Sequence, residues 1–199
     1  DTKTSGEIKI KDGCNIGYML QDDCLFPWLT IYENCLIGLK INKTCTKENM
    51  ENVKNLLTTY GLKDFLNNYP KDLSGGMRQR IALIRTLATS PEVLLLDEPF
   101  SALDYQTRIN VSDDIFQMIK DSHVCAILVT HDISEAIAMA DRITYNIRAS
   151  KLPKNTLANG SIVIAYPKNG QDINQINTDV YSTKEFREYF DEIWGLLNE

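Results

Sequence analysis

The sequence predicts an α/β fold with a parallel sheet buried between helices. Two nearly unbroken apolar runs, at residues 93–96 and 124–130, support this prediction, because strands buried on both faces lack the alternation of half-exposed strands. Helical spacing of apolar residues follows each run, at about 104–120 and after Asp132. Asp132 and Glu135 also have the spacing of a capping box. Strand, helix, strand, helix in this order indicates an α/β layer.

Two short strands are predicted ahead of a helical region. Residues 7–11 alternate like a strand that ends at the turn Asp12-Gly13, and residues 16–20 are typical of a second one. Apolar residues then take helical spacing. We therefore expect a helical subdomain at about 30–90, inserted ahead of the buried strands.

The last part of the chain has a different character. Residues 150–175 are rich in Lys, Asn, Pro and Gly and lack a clear period, which predicts a loose connection. Aromatic and aliphatic residues then form one stripe, which predicts an amphipathic helix at about 183–197. These patterns divide the chain into a domain at 1–148 and a C-terminal extension at 149–199.

The composition argues against several classes of protein. The 199 residues carry a net charge of -6, which argues against a nucleic-acid binder because such proteins usually present a basic face. No window approaches the roughly 20 apolar residues that a membrane-spanning helix requires. The five cysteines are odd in number and form no CxxC pair, which favours reduced thiols over a disulfide framework or a zinc site.

The turn Ser74-Gly75-Gly76 is the first candidate binding site. It opens a predicted helix, so its hydroxyl and bare backbone N–H groups lie at the positive end of the helix dipole. Such an end attracts phosphate oxygens. Taken alone, the same three residues are more typical of a surface turn that caps a helix.

Two adjacent carboxylates, Asp97 and Glu98, follow the first buried strand. Buried strands of open α/β sheets end at the crevice where ligands bind. Asp97 is a candidate ligand for Mg²⁺, usually through water, because Mg²⁺ keeps most of its hydration. Glu98 is a candidate to orient or deprotonate an attacking water. A solvated acidic turn is the alternative for a lone Asp-Glu pair.

Two further polar residues follow predicted strands. His131 comes directly after the run at 124–130, where an imidazole can donate to a γ-phosphate or to a water-activating carboxylate. Gln21 follows the strand at 16–20, where an amide can reach both a metal and a water. Taken singly, neither residue establishes a site.

The order of these residues resembles the ABC ATPase family over about 4–142. Five successive motifs match: Gln21 for the Q-loop, Leu73-Ser74-Gly75-Gly76 with Gln79-Arg80 for the signature motif, the strand ending in Asp97-Glu98 for Walker B with the catalytic glutamate, Ser101-Ala102-Leu103-Asp104 for the D-loop, and His131 for the switch histidine. Any one of these motifs alone has a high false-positive risk. It is their order along the chain that supports the resemblance.

The resemblance implies a P-loop NTPase-like core that binds ATP and Mg²⁺ and hydrolyses ATP. It implies Glu98 and His131 as catalytic residues and Asp97 with Gln21 at the metal. Nucleotide-binding roles are implied for Gln21, Ser74, Gly75, Gly76, Gln79 and Asp104.

The resemblance also implies partners and a location. The family dimerises, so that Ser74, Gly75 and Gly76 would serve the nucleotide of a second ATPase subunit, with Asp104 at the dimer seam. Such subunits are cytoplasmic and lie on the inner face of the cell membrane, against transmembrane permease subunits. An extracytoplasmic binding protein delivers the solute.

Finer similarity indicates a subfamily. The stretches Gly17-Tyr18-Met19-Leu20-Gln21 and Leu25-Phe26-Pro27-Trp28 are similar to importers of nitrate, sulfonate, taurine and pyrimidine precursors. The apolar stretch Phe26-Pro27-Trp28 has two expected places. It either contacts the permease or is buried within the helical subdomain.

One family element has no match. No stretch reads GxxxxGK[ST], the loop that supplies a backbone nest and a lysine for the β- and γ-phosphates. In the family this loop precedes the part that resembles residues 4–8, so we expect it ahead of residue 1, and we expect these 199 residues alone to be inactive. The alternative is a non-catalytic module that only donates its signature motif to a partner.

Overall fold

The computed structural model describes residues 9–130, 132–139, 143–145 and 162–165. Its centre is a five-stranded mixed sheet. The strands are β1 (Ile16–Met19), β2 (Val93–Asp97), β3 (Cys125–Thr130), β4 (Ile143–Tyr145) and β5 (Ile162–Ala165). Their order in the sheet is β1-β2-β3-β5-β4. β1, β2 and β3 are parallel, whereas β5 runs antiparallel to both β3 and β4.

Five α-helices lie in the described part of the chain. They are α1 (Ile31–Ile41), α2 (Lys47–Thr59), α3 (Gly75–Leu87), α4 (Tyr105–Asp121) and α5 (Ile133–Met139). Helices α1 to α3 connect β1 to β2, and α4 connects β2 to β3. The predicted α/β order of strands and helices is confirmed.

The sheet buries one face more completely than the other. Leu94, Leu96 and Leu128 are at most 1% exposed and belong to the hydrophobic core that also contains residues of all five helices. The alternate residues, such as Leu95 and Ile127, are only half-buried. The prediction of strands buried on both faces is therefore only partly met, because the apolar runs hide an inside–outside alternation.

The region of α1 to α3 is helical, as predicted. Its three helices contact one another, and α3 also contacts β1 and α4. Core residues of this region join the same hydrophobic cluster as those of the sheet. The division into a helical subdomain at about 30–90 within a domain at 1–148 stays a prediction.

The start of α5 corrects part of the predicted capping box. Asp132 caps the helix as expected, because its Oδ1 accepts from the backbone N–H of Ser134 at 2.8 Å and of Glu135 at 3.3 Å. The box also predicts that the Glu135 side chain accepts from the backbone N–H of Asp132. This part of the prediction is wrong, because that N–H donates to the Thr130 hydroxyl at 3.0 Å instead. The Glu135 carboxylate accepts from that same hydroxyl at 2.6 Å and lies 3.6 Å from Nε of Arg108.

Two other predictions differ from the structure. Residues 9–11, the described part of the first predicted strand, are not in a strand. The predicted loose connection at 150–175 contains β5, whose four apolar residues extend the sheet along β3. The predicted helix at 183–197 and the whole of 166–199 lie outside the described residues. Among the described residues, no helix is both long and apolar enough to cross a membrane.

Candidate functional site

The site lies at the carboxyl edge of the three parallel strands. Because parallel strands end at the same edge, the residues that follow β1 and β2 come together there. The side-chain Nε2 of Gln21 donates to Oε2 of Glu98 across 3.5 Å, at the long limit of a hydrogen bond. Asp97 is the last residue of β2 and is half-buried. The structure thus brings together Gln21, Asp97 and Glu98.

The backbone of Glu98 is strained and firmly held. Its φ of 44° lies in the left-handed region, which non-glycine residues adopt at a cost of about 1–3 kcal/mol. Its N–H donates to the carbonyl of Val129 on β3 at 2.8 Å. Its carbonyl accepts from the Ser101 N–H at 3.1 Å and hydroxyl at 3.0 Å. Strain held by surrounding bonds is typical of functional residues.

Tyr18 contacts Asp97, a pairing that the sequence reasoning missed. Its hydroxyl donates to Asp97 Oδ2 at 2.9 Å. This hydrogen bond to the carboxylate, followed by partial desolvation, raises the pKa of Tyr18 above 10.0. Tyr18 pairs with Leu95 in the sheet, so it shares a face with Asp97 two residues further along β2. Strand alignment was the signal that could have revealed the contact.

The oxygen atoms at this edge are too few to enclose a metal ion entirely with protein ligands, but they are enough for Mg²⁺. Asp97 could offer one carboxylate, and Gln21, whose Nε2 lies 3.5 Å from Oε2 of Glu98, could offer an amide oxygen. Within the ranges that the structure describes, no cluster of three or more His, Cys, Asp or Glu side chains is arranged to hold a metal. Mg²⁺ usually takes one or two carboxylates and keeps waters or substrate phosphates as its other ligands. The residues present fit that ion.

The Ser74 hydroxyl caps α3. Ser74 is exposed, and its Oγ accepts from the backbone N–H of Met77 at 3.3 Å. The helix that it opens has 13 residues, long enough to present a partial positive charge at its first turn. The cap and the phosphate-binding role are compatible, because the serine keeps its hydroxyl at the surface.

The two glycines after Ser74 have a packing role that sequence reasoning missed. A Cβ on Gly76 would lie 2.6 Å from Cγ2 of Val111 and 3.2 Å from Cγ2 of Thr107, both on α4. A Cβ on Gly75 would lie 3.1 Å from Leu103. The absence of side chains therefore lets α3 approach α4 closely, whatever ligand its backbone binds.

Gln79 faces the interior rather than the surface. It is 3% exposed, and its Nε2 donates to the backbone carbonyl of Gln21 at 3.3 Å. Its Oε1 is buried and has no hydrogen-bond partner among the residues that the structure describes. Gln79 therefore lies behind the loop that carries Gln21. Its predicted contact with a nucleotide stays a prediction, and this buried position does not favour it.

Asp104, the last predicted site residue that the structure describes, lies at the start of α4. Asp104 is exposed and caps α4, where its Oδ1 accepts from the Thr107 N–H at 3.1 Å. The bonds from Thr107 hold the pKa of Asp104 below its usual value of 3.8. His131 lies outside the described residues.

A groove of mixed polar and apolar lining borders the loop that carries Gln21. Its volume is about 450 Å³, and β1, α1 and α3 line it together with Cys24 and Phe26. Trp28 is 69% exposed, and its ring centroid lies 5.4 Å from that of Phe26. Of the two expected places for Phe26-Pro27-Trp28, burial within the helical region is therefore not the one seen.

Comparison with known proteins supports the interpretation of these motifs. Residues 2–101 match the family model described as ABC transporter. An uncharacterised ABC transporter ATP-binding protein, YtlC of Bacillus subtilis, is 58% identical over 129 residues, which cover 65% of this chain and 50% of the relative. The nitrate import ATP-binding protein NrtD of Synechocystis is 36% identical over 208 residues, covering 99% of this chain and 74% of the relative.

A third relative is named for a different solute. The aliphatic sulfonates import ATP-binding protein SsuB 1 of Paracoccus denitrificans is 37% identical over 143 residues, covering 72% of this chain and 56% of the relative. This chain thus spans about half the length of the first of these relatives. From the family model and the nitrate-import relative together, the chain belongs to the ATP-binding domains of the ABC transporter family.

Proposed function

We propose that the protein containing this chain hydrolyses ATP to power the import of a small solute. The observation that carries this proposal is the contact between Gln21 and Glu98 beside Asp97, at the edge where the parallel strands end. An acidic surface turn alone requires neither an amide against its glutamate nor a strained backbone at that residue.

In this proposal the chain positions water and neutralises charge. Asp97 and Gln21 would hold Mg²⁺, which supplies positive charge against the phosphates when bound. Glu98 orients the attacking water and accepts its proton, while the Gln21 amide fixes the direction of the Glu98 carboxylate. Tyr18 holds Asp97 in place through its hydroxyl. Phosphoryl transfer requires mainly such positioning and electrostatic stabilisation.

The exposed positions of two residues support a second ATPase subunit as the proposed partner. Ser74 and Asp104 are both at the surface, as a seam with a second ATPase subunit requires. We assign Ser74, Gly75 and Gly76 to the nucleotide of that partner, and His131 to the nucleotide of its own subunit. We call Ser74-Gly75-Gly76 the signature turn. This arrangement predicts one ATP between the signature turn of each subunit and the opposite subunit.

The groove beside Phe26 fits a helix of a permease subunit. It is open, and its lining is mixed: Ile16, Phe26 and Ile37 supply apolar surface, and Arg85 and Asn42 supply polar groups. A subunit docked there would lie on the inner face of the membrane. Substituting Trp28 by Ala is expected to lower the amount of permease that co-purifies with the ATPase by about fivefold or more. ATP hydrolysis by the purified ATPase without the permease should stay within about twofold. Unchanged recovery would exclude this surface.

The solute class rests on the names of the relatives. Two of those relatives are named as ATP-binding proteins for the import of nitrate and of aliphatic sulfonates. We propose a small solute of the nitrate, sulfonate or taurine type, or a pyrimidine precursor. Uptake of labelled nitrate, taurine, an alkanesulfonate without an amino group and a pyrimidine precursor, by cells that express the complete system, would separate these choices.

The test of function uses the protein expressed from its complete gene. We expect phosphate release from ATP that depends on Mg²⁺ and stops on addition of EDTA. A non-catalytic module would release no phosphate. It would still join a catalytically active partner subunit, and its Ser74 would support the partner's turnover.

A further inference from the structure

Helix α3 holds the loop that carries Gln21 through two arginines. We call residues 21–24 the Gln21 loop. Nε of Arg78 lies 2.8 Å from Oδ2 of Asp23, and these side chains are 34% and 27% exposed. Oδ1 of Asp23 accepts from the backbone N–H of Leu25 at 3.0 Å, so the carboxylate also shapes the loop itself.

Arg85, two turns further along α3, binds the backbone of the same loop. Its Nη1 donates to the Cys24 carbonyl at 2.7 Å, and its Nη2 donates to the Asp23 carbonyl at 2.8 Å. Cys24 has a φ of 45°, in the left-handed region. A residue in that region keeps its conformation only when surrounding contacts fix it. Arg85 supplies two such contacts.

Arg78 connects two elements that are distant in the sequence. Besides the Asp23 contact, its Nη1 donates to the carbonyl of Leu73 at 2.8 Å. Leu73 immediately precedes Ser74, the cap of α3. One guanidinium therefore binds both the Gln21 loop and the start of the signature turn. Arginine suits this role because its planar fork donates in several fixed directions, whereas lysine carries a point charge.

The contacts with α3 also affect the position of the Gln21 side chain at the edge of the sheet. The backbone carbonyl of Gln21 also accepts from Gln79 on α3, so the loop is bound to this helix on both sides of Asp22. The side chain of Gln21 then extends to Glu98 at 3.5 Å. Movement of α3 relative to the loop would change where that amide lies.

We propose that Arg78 is a positioning residue for ATP hydrolysis. Through Asp23 it keeps Gln21 against Glu98 while it holds the signature turn on the same helix. The proposal rests on the proposed function, since Glu98 is the residue that Gln21 serves. In this proposal Arg78 acts through Asp23 and Gln21 rather than on a reacting atom.

The test compares Arg78→Gln and Asp23→Asn with the double variant, in the protein expressed from its complete gene. Asp114→Asn is the matched control, because it removes the ion pair at 3.2 Å between Arg80 of α3 and Asp114 without touching the loop. We measure kcat, the affinity for a fluorescent ATP analogue, the melting temperature, and hydrogen exchange of the Leu25 amide.

We expect kcat to fall about tenfold in each single variant and no further in the double variant. The affinity for the analogue should stay within threefold, the melting temperature should match that of the control, and the Leu25 amide should exchange faster. Arg78→Lys should recover part of kcat. An unchanged kcat, or one that falls only as far as the melting temperature explains, would overturn the proposal.

The design separates the two proposals. A wild-type protein without ATPase activity refutes the proposed function. Hydrogen exchange still tests the positioning contact in that case. Unchanged exchange at Leu25 in Arg78→Gln refutes it.

Discussion

The side-chain amide of Gln21 lies 3.5 Å from the carboxylate of Glu98, although 77 residues separate the two in sequence. The parallel alignment of β1 and β2 produces this proximity, since both strands end at one edge. The Glu98 backbone is fixed there by Val129 and Ser101. The contact therefore joins a residue on a loop to a residue on a strained, well-supported turn.

The first prediction concerns Gln21 itself. Gln21→Ala removes the donor to Glu98, and we expect kcat to fall about 10²-fold, as for the loss of one preorganised donor in other active sites. Asp22→Ala is the control, because Asp22 is an exposed neighbour. Steady-state phosphate release measures both variants. Equal turnover in Gln21→Ala and the control would remove Gln21 from the mechanism.

A second prediction concerns the close approach of α3 and α4. Gly76→Ala places a methyl 2.6 Å from Cγ2 of Val111, a stiff side chain that cannot swing away. We expect a loss of about 1–3 kcal/mol from overpacking, which outweighs the gain of about 1 kcal/mol in helix propensity. Urea unfolding monitored by circular dichroism measures the change.

The control for that experiment is Gly75→Ala. Its new methyl would meet Cδ2 of Leu103 at 3.1 Å, the far end of a flexible side chain, so the cost should be smaller. In a Val111→Ala background the Gly76→Ala penalty should shrink, because the clashing methyl is gone. A penalty that does not depend on residue 111 would show that the clash is not its cause.

A third prediction separates capping from nucleotide chemistry at Ser74. Ser74 caps α3 and Thr46 caps α2, each through a side-chain oxygen that accepts a backbone N–H, at 3.3 and 3.2 Å. Ser74→Ala and Thr46→Ala should each cost about 1 kcal/mol of stability. Only Ser74→Ala should also reduce ATP hydrolysis, measured at a temperature where both variants are folded. Equal activities would assign Ser74 to capping alone.

A fourth prediction concerns the titration of Tyr18. Its hydrogen bond to Asp97 raises its pKa above 10.0. Because the folded pKa exceeds the unfolded one, the stability from this bond is present below about pH 10 and is lost as pH rises through the folded value. The difference in phenolate absorbance between the wild type and Tyr18→Phe isolates Tyr18 among the nine tyrosines.

The same titration can be checked through the partner residue. In Asp97→Ala the hydrogen bond and the neighbouring charge are both lost, so Tyr18 should titrate at lower pH than in the wild type. An unchanged Tyr18 titration in this variant would contradict the contact. The comparison uses Tyr18→Phe in each background.

Local patterns predicted most of the elements, because apolar spacing and caps are local properties. The strand at Ile16–Met19 and the helix that Ser74 caps follow directly from such patterns. The resemblance to the ABC ATPase family, rather than a local pattern, placed Gln21 and Glu98 at one nucleotide, and the structure shows them 3.5 Å apart. The short apolar run Ile162–Ala165 was missed because it lies in a polar, aperiodic surrounding, although pairing with β3 makes it a strand.

Contacts between distant residues could not be read from local patterns. The approach of Gly76 to Val111 depends on how α3 and α4 cross. The bond between Tyr18 and Asp97 depends on strand register. The Glu135 carboxylate accepts from the Thr130 hydroxyl and lies near Nε of Arg108, a residue of another helix that the local sequence does not reveal. In each case tertiary packing determined the role of a residue whose local signal was ambiguous.

The central claim is that Glu98 activates water for ATP hydrolysis, and Glu98→Gln tests it most directly. In the protein expressed from its complete gene, this variant should bind ATP as tightly as the wild type and release phosphate at least about 100-fold more slowly, because an amide cannot accept the proton. The measurement is phosphate release in a single turnover with pre-bound MgATP. A rate equal to that of the wild type would contradict the account.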